Sequence, residues 1–400
     1  MRSRNIHIVF FILSLFTIFC MTAQNAIYNR IDSLMMHRYA ADAPGAAVYV
    51  SCGDSVIINK GYGLADVVTQ RKIDENTAFN IASVTKQFTV AGILLLQEAG
   101  LISVEDCLSK YFPEYKSDIW EKIKIRHLMS HSSGIPDLRP RTDREFMLNI
   151  NDRQSLEYMA ALDTLKFAPG TQYDYINPTF QLLYEIINRV SGSEFENYQK
   201  KMIFDKAGMA HTVYFSPEKE ITGMAHGYIR DNTVRSDKDS DTGKKADFSS
   251  GKKYTDSNGG IWMEYDFGEE TFFGTQSDGG LYSTISDFVK WERALADNKI
   301  LSEESRNEAY APHITVSGSK YSAYQNRDNT CYGYGWFLDN TPGFPLKIYH
   351  TGDNGGFQIY AAKYPQKDIL ILLFENRNDY DRWEFARFVD NLLKDAKLLD

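Results

Sequence analysis

The sequence predicts an α+β fold: one antiparallel sheet built from both ends of the chain and flanked by helices, with an all-helical second lobe. Three observations carry this expectation. Strand-like runs occur near the start and again near the end, the stretch between them is mostly helical by pattern, and an amphipathic helix stands at each end of the mature chain. The 400 residues leave room for one large domain with a discontinuous core or for two domains. The expected division is a leader over 1–23, a sheet lobe over about 24–78 and 275–400, and a helical lobe over about 79–230. A polar insertion over about 231–257 completes it.

Residues 1–23 read as a secretory leader. Arg2 and Arg4 precede an apolar run from Ile8 to Met21, and the small residues Thr22 and Ala23 place a cut before Gln24. The run is short for a bilayer span. Cys20 raises a lipoprotein form, but bulky Phe19 before it argues against lipidation. Loss of the leader takes the net charge from −9 to −11, because it carries two arginines and no acid. So acidic a chain does not suit nucleic acid, where binding rests on neutralising phosphates. No other stretch is long and apolar enough to cross a membrane, so the mature chain is expected to be periplasmic or secreted. Cys52, Cys107 and Cys331 are scattered and form no C-x-x-C pair; one bridge among them stays open.

The first mature element is a helix over Ala26–Tyr39, with Ile27, Ile31, Leu34 and Met35 on one face. Ala46–Cys52 and Ser55–Gly63 read as strands joined at Gly53-Asp54, a hairpin signal. The next stretch, Phe79–Gly100, organises the rest. From Phe88 to Leu96 it is apolar on nearly every face and carries no charge between Lys86 and Glu98, as a helix running through a core would. Gly100 fits its stop. Helical patterning continues to about Gly208 and includes Leu101–Tyr115, Ile125–Asp137 and Thr179–Gly192. Residues 231–257 turn polar and read as a solvated loop. Trp262, Tyr265, Phe267, Phe272 and Phe273 crowd together after it, and packing is their simplest use. Strand-like runs then follow at hairpin spacing, including Pro345–Gly352, Gly356–Pro365 and Asp368–Asn376, before a helix from about Arg382 to Leu398.

At the mouth of the apolar helix stand Ser83 and, three residues on, Lys86, which brings their side chains together on one face. Partial desolvation favours a neutral amine, and a neutral amine beside a hydroxyl makes an activated nucleophile. A capping serine and a snorkelling lysine would be the plain alternative. His127 and His131 stand four apart on an expected helix, a metal-ligand spacing, but no glutamate follows His127, and no metal is expected. The absence of G-x-S-x-G argues against an α/β-hydrolase, and no Walker or dinucleotide loop implies a cofactor.

Further stretches complete a pattern. Ser83-Val84-Thr85-Lys86 is followed by Tyr175-Ile176-Asn177, then by Gly279–Trp291, then by His350–Phe357 after the strand Pro345–Tyr349. In order and spacing these segments resemble the serine beta-lactamase and penicillin-binding-protein superfamily. The likeness is closest to the class C branch with its esterases, D-peptidases and carboxypeptidases. Arg126–Ile135, Ile203–Met209, Met224–Tyr228 and Tyr332–Trp336 resemble signature segments of that branch as well. The resemblance spans roughly Ala26 to Leu398. It implies the beta-lactamase/transpeptidase-like fold, with Ser83 as nucleophile and Lys86 and Tyr175 as the groups that share its proton. Asn177 would bridge the lysine and a substrate amide, and His350-Thr351-Gly352 would form the substrate-facing strand. The backbone N–H groups of Ser83 and Asp353 would form the oxyanion hole.

The resemblance has departures. His350 stands where many members carry lysine, and an acid, Asp353, follows the glycine. Both make the site less welcoming to a substrate carboxylate. The expected function is therefore a secreted serine hydrolase acting on an ester, amide or peptide, small-molecule or peptidoglycan-derived. A beta-lactamase, a D-alanyl-D-alanine carboxypeptidase or transpeptidase, and a non-hydrolytic penicillin- or muropeptide-recognising sensor are the alternatives.

Overall fold

A computed structural model describes residues 24–140, 146, 149–216, 218–230, 253–265, 274–316 and 328–400. The expected leader, residues 231–252 of the polar stretch, and Phe267, Phe272 and Phe273 lie outside them.

The first helix, α1, covers residues 24–38. Strands β1 (Ala46–Cys52) and β2 (Ser55–Tyr62) form the expected hairpin, turning at Gly53 and Asp54. Helices α2 (Lys86–Glu98), α3 (Asp152–Ala160), α4 (Pro178–Ser191) and α5 (Ile285–Ala296) follow. The chain then returns to the sheet through β3 (Ile314–Thr315), β4 (Thr330–Tyr332), β5 (Phe337–Asp339), β6 (Lys347–Asn354), β7 (Phe357–Tyr364) and β8 (Ile369–Glu375), and closes with α6 (Arg382–Asp395). The sheet runs β3-β4-β5-β6-β7-β8-β1-β2, and its neighbouring strands pair antiparallel. Sheet strands thus come from both ends of the chain, flanked by helices, as the sequence predicts.

The central strands separate two cores by simple alternation. On β8, Leu370, Leu372 and Phe374 face one core, and Ile369, Ile371 and Leu373 face the other. On β1, Ala47 and Tyr49 divide from Ala46, Val48 and Val50 in the same way. Covered on both faces, these strands read as unbroken apolar runs. The first core holds α2, where Phe88, Val90, Ala91, Ile93 and Leu94 are all fully buried, together with much of α4. Gly100, with φ +71°, takes the left-handed turn after α2. The second core lies under the terminal helices: Ile27, Ile31 and Met35 of α1 meet Phe385, Val389 and Leu393 of α6.

Three segments depart from expectation. Ile125–Asp137 is helical only over Ile125–Met129, so His131 lies beyond the helix that carries His127. Leu101–Tyr115 is mostly turns with a short 3-10 helix at Leu108–Lys110. The Asp106 carboxylate takes the Ser103 amide at 2.9 Å, Lys110 Nζ at 2.8 Å and the Tyr111 hydroxyl at 2.5 Å, which fixes a turn in place of a helix. Lys253–Thr255, at the end of the polar stretch, is a strand paired with Ile261–Glu264. Asp256 closes that hairpin by accepting from the Asn258 and Gly260 amides and from Trp262 Nε1. Trp262 is buried among Ala43, Leu64, Val67 and Tyr228, which is the packing use expected of it. No disulfide joins Cys52, Cys107 and Cys331 to one another. No helix among the described residues is long and apolar enough to cross a membrane.

One buried acid ties α1 to the sheet. Glu375 Oε1 accepts the Tyr39 hydroxyl at 2.6 Å, and burial pushes its pKa up to about 7 despite that bond and the nearby Arg382 and Arg377. A raised folded-state value means that the folded chain keeps a proton which the unfolded chain loses near its ordinary value of 4.5. The resulting stabilisation is complete below pH ~4.5 and is lost as pH rises towards ~7. Glu375→Gln keeps an acceptor for Tyr39 and removes the titration. Its urea stability should fall less between pH 5 and pH 7.5 than that of the native chain, by up to about 3 kcal/mol. Identical pH profiles would refute the assignment.

Candidate active site

Ser83 sits in a 3-10 turn, Ala82–Thr85, wedged between the short strand Phe79–Asn80 and the start of α2. The turn supplies the alignment expected of a helix face, because side chains three apart eclipse in 3-10 geometry. Lys86 Nζ lies 3.1 Å from Ser83 Oγ. Ala82 just before it has φ +47°, a strained value for a residue with a Cβ, held by the Asn80 Oδ1 bond to its amide at 2.9 Å. Lys86 is fully buried and does not snorkel. Its amine also donates to the Asp278 carbonyl at 2.8 Å and lies 5.1 Å from the Tyr175 ring centre and 5.3 Å from that of Phe180.

Tyr175 approaches from the segment that leads into α4, its ring tilted by 34° against that of His131 with centres 4.1 Å apart. His131 has φ +53°, and its Nδ1 accepts the Ile176 amide at 3.3 Å, which leaves the proton on Nε2. Burial holds its pKa well below the usual histidine range, with the charges of Lys86 and His350 acting in the same direction. It is a neutral plate beneath the tyrosine. His127 acts elsewhere, its Nδ1 accepting the Lys124 amide at 3.1 Å at the start of the Ile125–Met129 helix. The two histidines therefore serve separate elements. His131 as a support for Tyr175 had no sequence signal beyond its spacing from His127.

Asn177 stands just before Pro178, the first residue of α4, yet its side chain does not cap the helix. It lines the cleft above Ser83, and its Oδ1 is buried with no hydrogen-bond partner among the described residues. The bridge to Lys86 that the resemblance implies is not made in this structure.

His350 to Asp353 lie on β6. This strand is internal to the sheet, but its register with β5 ends at Tyr349, so His350–Asn354 are paired with β7 alone. His350 Nδ1 donates to the Thr351 carbonyl at 2.7 Å, and in the neutral ring Nε2 accepts the Tyr332 hydroxyl at 2.9 Å. Both ring nitrogens are thus engaged away from the cleft. Thr351 is buried. Gly352 is required for a reason other than substrate access. A Cβ there would lie 2.5 Å from the Ile81 carbonyl oxygen, 2.9 Å from Ala82 Cβ and 3.2 Å from the Ser83 amide. Glycine lets the strand press against the nucleophile turn. Asp353 pairs with the buried Arg382, which also bonds the Gly352 carbonyl at 2.7 Å. The acid expected to repel a substrate carboxylate is therefore largely compensated.

The cleft over Ser83 is walled by Arg139, Ile150, Asn177, Asp278, Asp353 and Asn354, among others. Asp278 was not legible as a site residue, since an acid before Gly279-Gly280 reads as an ordinary turn. Its carboxyl accepts from Gln181 Nε2 at 2.8 Å. Burial raises its pKa, while the charges of Lys86 and Arg139 pull it back. Behind it, fully buried Asp152 accepts from the Gln276 and Ser277 amides and the Ser277 hydroxyl, and burial with the charge of Asp278 pushes its pKa up to about 7.

A family model described as Beta-lactamase matches residues 31–392. Penicillin-binding protein 4* of Bacillus subtilis (strain 168) is 27% identical over 345 residues, covering 84% of this chain and 68% of that protein. A Beta-lactamase of Yersinia enterocolitica is 26% identical over 372 residues, covering 84% of this chain and 82% of the other. Among solved structures, a D-amino acid amidase from Ochrobactrum anthropi SV3 superposes with a TM-score of 0.71 at 21% identity, over 94% of this chain and 98% of that one. An octameric penicillin-binding protein homologue from Pyrococcus abyssi superposes with a TM-score of 0.70 at 23% identity, over 92% and 77%. At those identities the superpositions speak to the fold.

The contact of Gly352 with the nucleophile turn yields a direct test. Gly352→Ala should lose about 1–3 kcal/mol in urea denaturation and should also slow modification of Ser83 by a fluorophosphonate. A variant with native stability and an unchanged labelling rate would refute the packing account.

Proposed function

The chain belongs to the Beta-lactamase family, and from that premise we propose that it is a secreted serine hydrolase working through an acyl-enzyme on Ser83. The observation that carries the reading is the buried amine of Lys86, 3.1 Å from Ser83 Oγ and over the faces of Tyr175 and Phe180. Ser83 Oγ attacks the substrate carbonyl carbon, and its proton passes to Lys86 or to the Tyr175 oxygen. The carbonyl oxygen, now negative, takes hydrogen bonds from the Ser83 and Asp353 amides. Collapse of this intermediate returns the proton to the leaving group. Water then attacks the acyl ester with the same groups taking its proton, and Ser83 is restored. Secretion rests on the leader-like residues 1–23.

The substrate class that fits best is an ester, amide or peptide without a carboxylate at the β6 subsite. Support comes from the cations near that strand: Arg382 is taken up by Asp353, and both nitrogens of His350 are bonded elsewhere. The D-amino acid amidase of Ochrobactrum anthropi is a different protein, and the activity in its name falls in the same class.

Three measurements test the reading. A fluorophosphonate should add one mass label, at Ser83. Ser83→Ala should lose turnover by about 10³-fold or more, and Lys86→Ala nearly as much, since such groups act as a unit. In a mixed panel, nitrophenyl esters should be cleaved faster than cephalosporins. Fast cephalosporin turnover beside inert esters would favour a beta-lactamase, and activity surviving in Ser83→Ala would sink the assignment.

A further inference from the structure

The charges that line the cleft are unequally matched. Arg139, buried in one wall, gives Nε and Nη2 to the two oxygens of Asp137 at 2.9 Å each, a bidentate pair that occupies its fork. Arg382 is likewise occupied by Asp353. Asp278 differs. It has no ion-pair partner among the described residues, and only 6% of it is exposed, at the cleft wall. Its bonding partners are neutral: the Gln181 amide at 2.8 Å and the Thr275 hydroxyl. Gln181 is itself fully buried, and its carbonyl oxygen accepts from Ser155 Oγ at 3.3 Å, which fixes its amide nitrogen towards Asp278. A second acceptor, the unpartnered Oδ1 of Asn177, lines the same cleft.

Lys86 and Arg139 act on this carboxylate from a distance, but its direct hydrogen-bond donors are neutral, so a cation brought into contact with it offsets part of its burial cost. Two convergent acceptors match a group that carries several N–H donors and one positive charge. We propose that Asp278 is a specificity-determining residue that, with Asn177, binds a protonated amine on the acyl part of the substrate. The preferred substrates are then aminoacyl esters, amides or peptides with a free amino group close to the scissile carbonyl. The proposal deepens the hydrolase reading and rests on it. It also fits the internal pairing of Arg139 in the cleft wall and of Arg382 behind β6: a substrate carboxylate would find both arginines taken up, whereas an ammonium finds a carboxylate with open lone pairs.

The test uses (1-aminoethyl)boronic acid and its N-acetyl derivative, in both hands. Each can add the Ser83 oxygen to boron, giving a tetrahedral boronate without any leaving group. Inhibition is read as protection of Ser83 from fluorophosphonate labelling. In the native protein the free amine should bind at least tenfold more tightly than the N-acetyl form in one hand. In Asp278→Asn that ratio should fall at least tenfold. A native protein that binds the N-acetyl form equally well or better overturns the proposal, and this comparison needs no variant to fold. An unchanged ratio in Asp278→Asn, with labelling of that variant intact, overturns it too, because Asp278 would then act on Lys86 alone. If the fluorophosphonate never modifies Ser83, the hydrolase reading fails first and takes the proposal with it.

Discussion

A lysine amine has been taken wholly out of water at the junction of the sheet and the helical middle, and much of the site depends on keeping it there. Burial of an amine without partners is unfavourable, so the fold must surround it with acceptors and aromatic faces. It does so with groups from distant parts of the chain: Ser83 from the 3-10 turn, the Asp278 carbonyl from before α5, and the rings of Tyr175 and Phe180 from around the start of α4. Each contact fixes the position of the element that supplies it. The apolar length of α2 sets the depth of Lys86, since a helix covered on every side cannot slide outward without exposing Phe88, Val90 and Leu94.

The same constraint explains the strain and the close approach around Ser83. For its hydroxyl to reach the lysine and still face the cleft, the backbone at Ala82 turns through a left-handed conformation, and β6 must come within contact distance of that turn. Only a glycine at 352 permits this. Arg382 then secures the far side of the strand through the Gly352 carbonyl and the Asp353 carboxylate. The terminal helix, remote in sequence, therefore reaches the substrate edge of the sheet.

Electrostatics divides the site into a reacting centre and a matched periphery. Asp137 with Arg139, and Asp353 with Arg382, are self-contained pairs, and His350 is locked between Tyr332 and its own chain. What is left is Asp278 at the cleft wall, with the amine of Lys86 buried beneath Ser83 and a second acid, Asp152, buried behind. Like charges that close raise one another's cost of ionising, so the two acids respond to any cation brought into the cleft.

Much of this was written in the chain order. The dry run from Phe88 to Leu96 requires a buried helix whatever the rest of the fold. The alternation along β1 and β8 requires a sheet with two covered faces, and Ser83 three residues before Lys86 requires that the two meet. These are local constraints, fixed by spacing and by the cost of hydrating apolar groups. The roles of Gly352, Asp278, His131 and Arg382 were not legible, because each depends on a neighbour 30 to 270 residues away in the sequence. A glycine shows nothing of the carbonyl it must clear, and an acid in a turn shows nothing of the amide that will hold it. Sequence sets which groups are available and how they are spaced along one element. The meeting of elements decides which charges cancel, which stay unmatched, and so which molecule the cleft can hold.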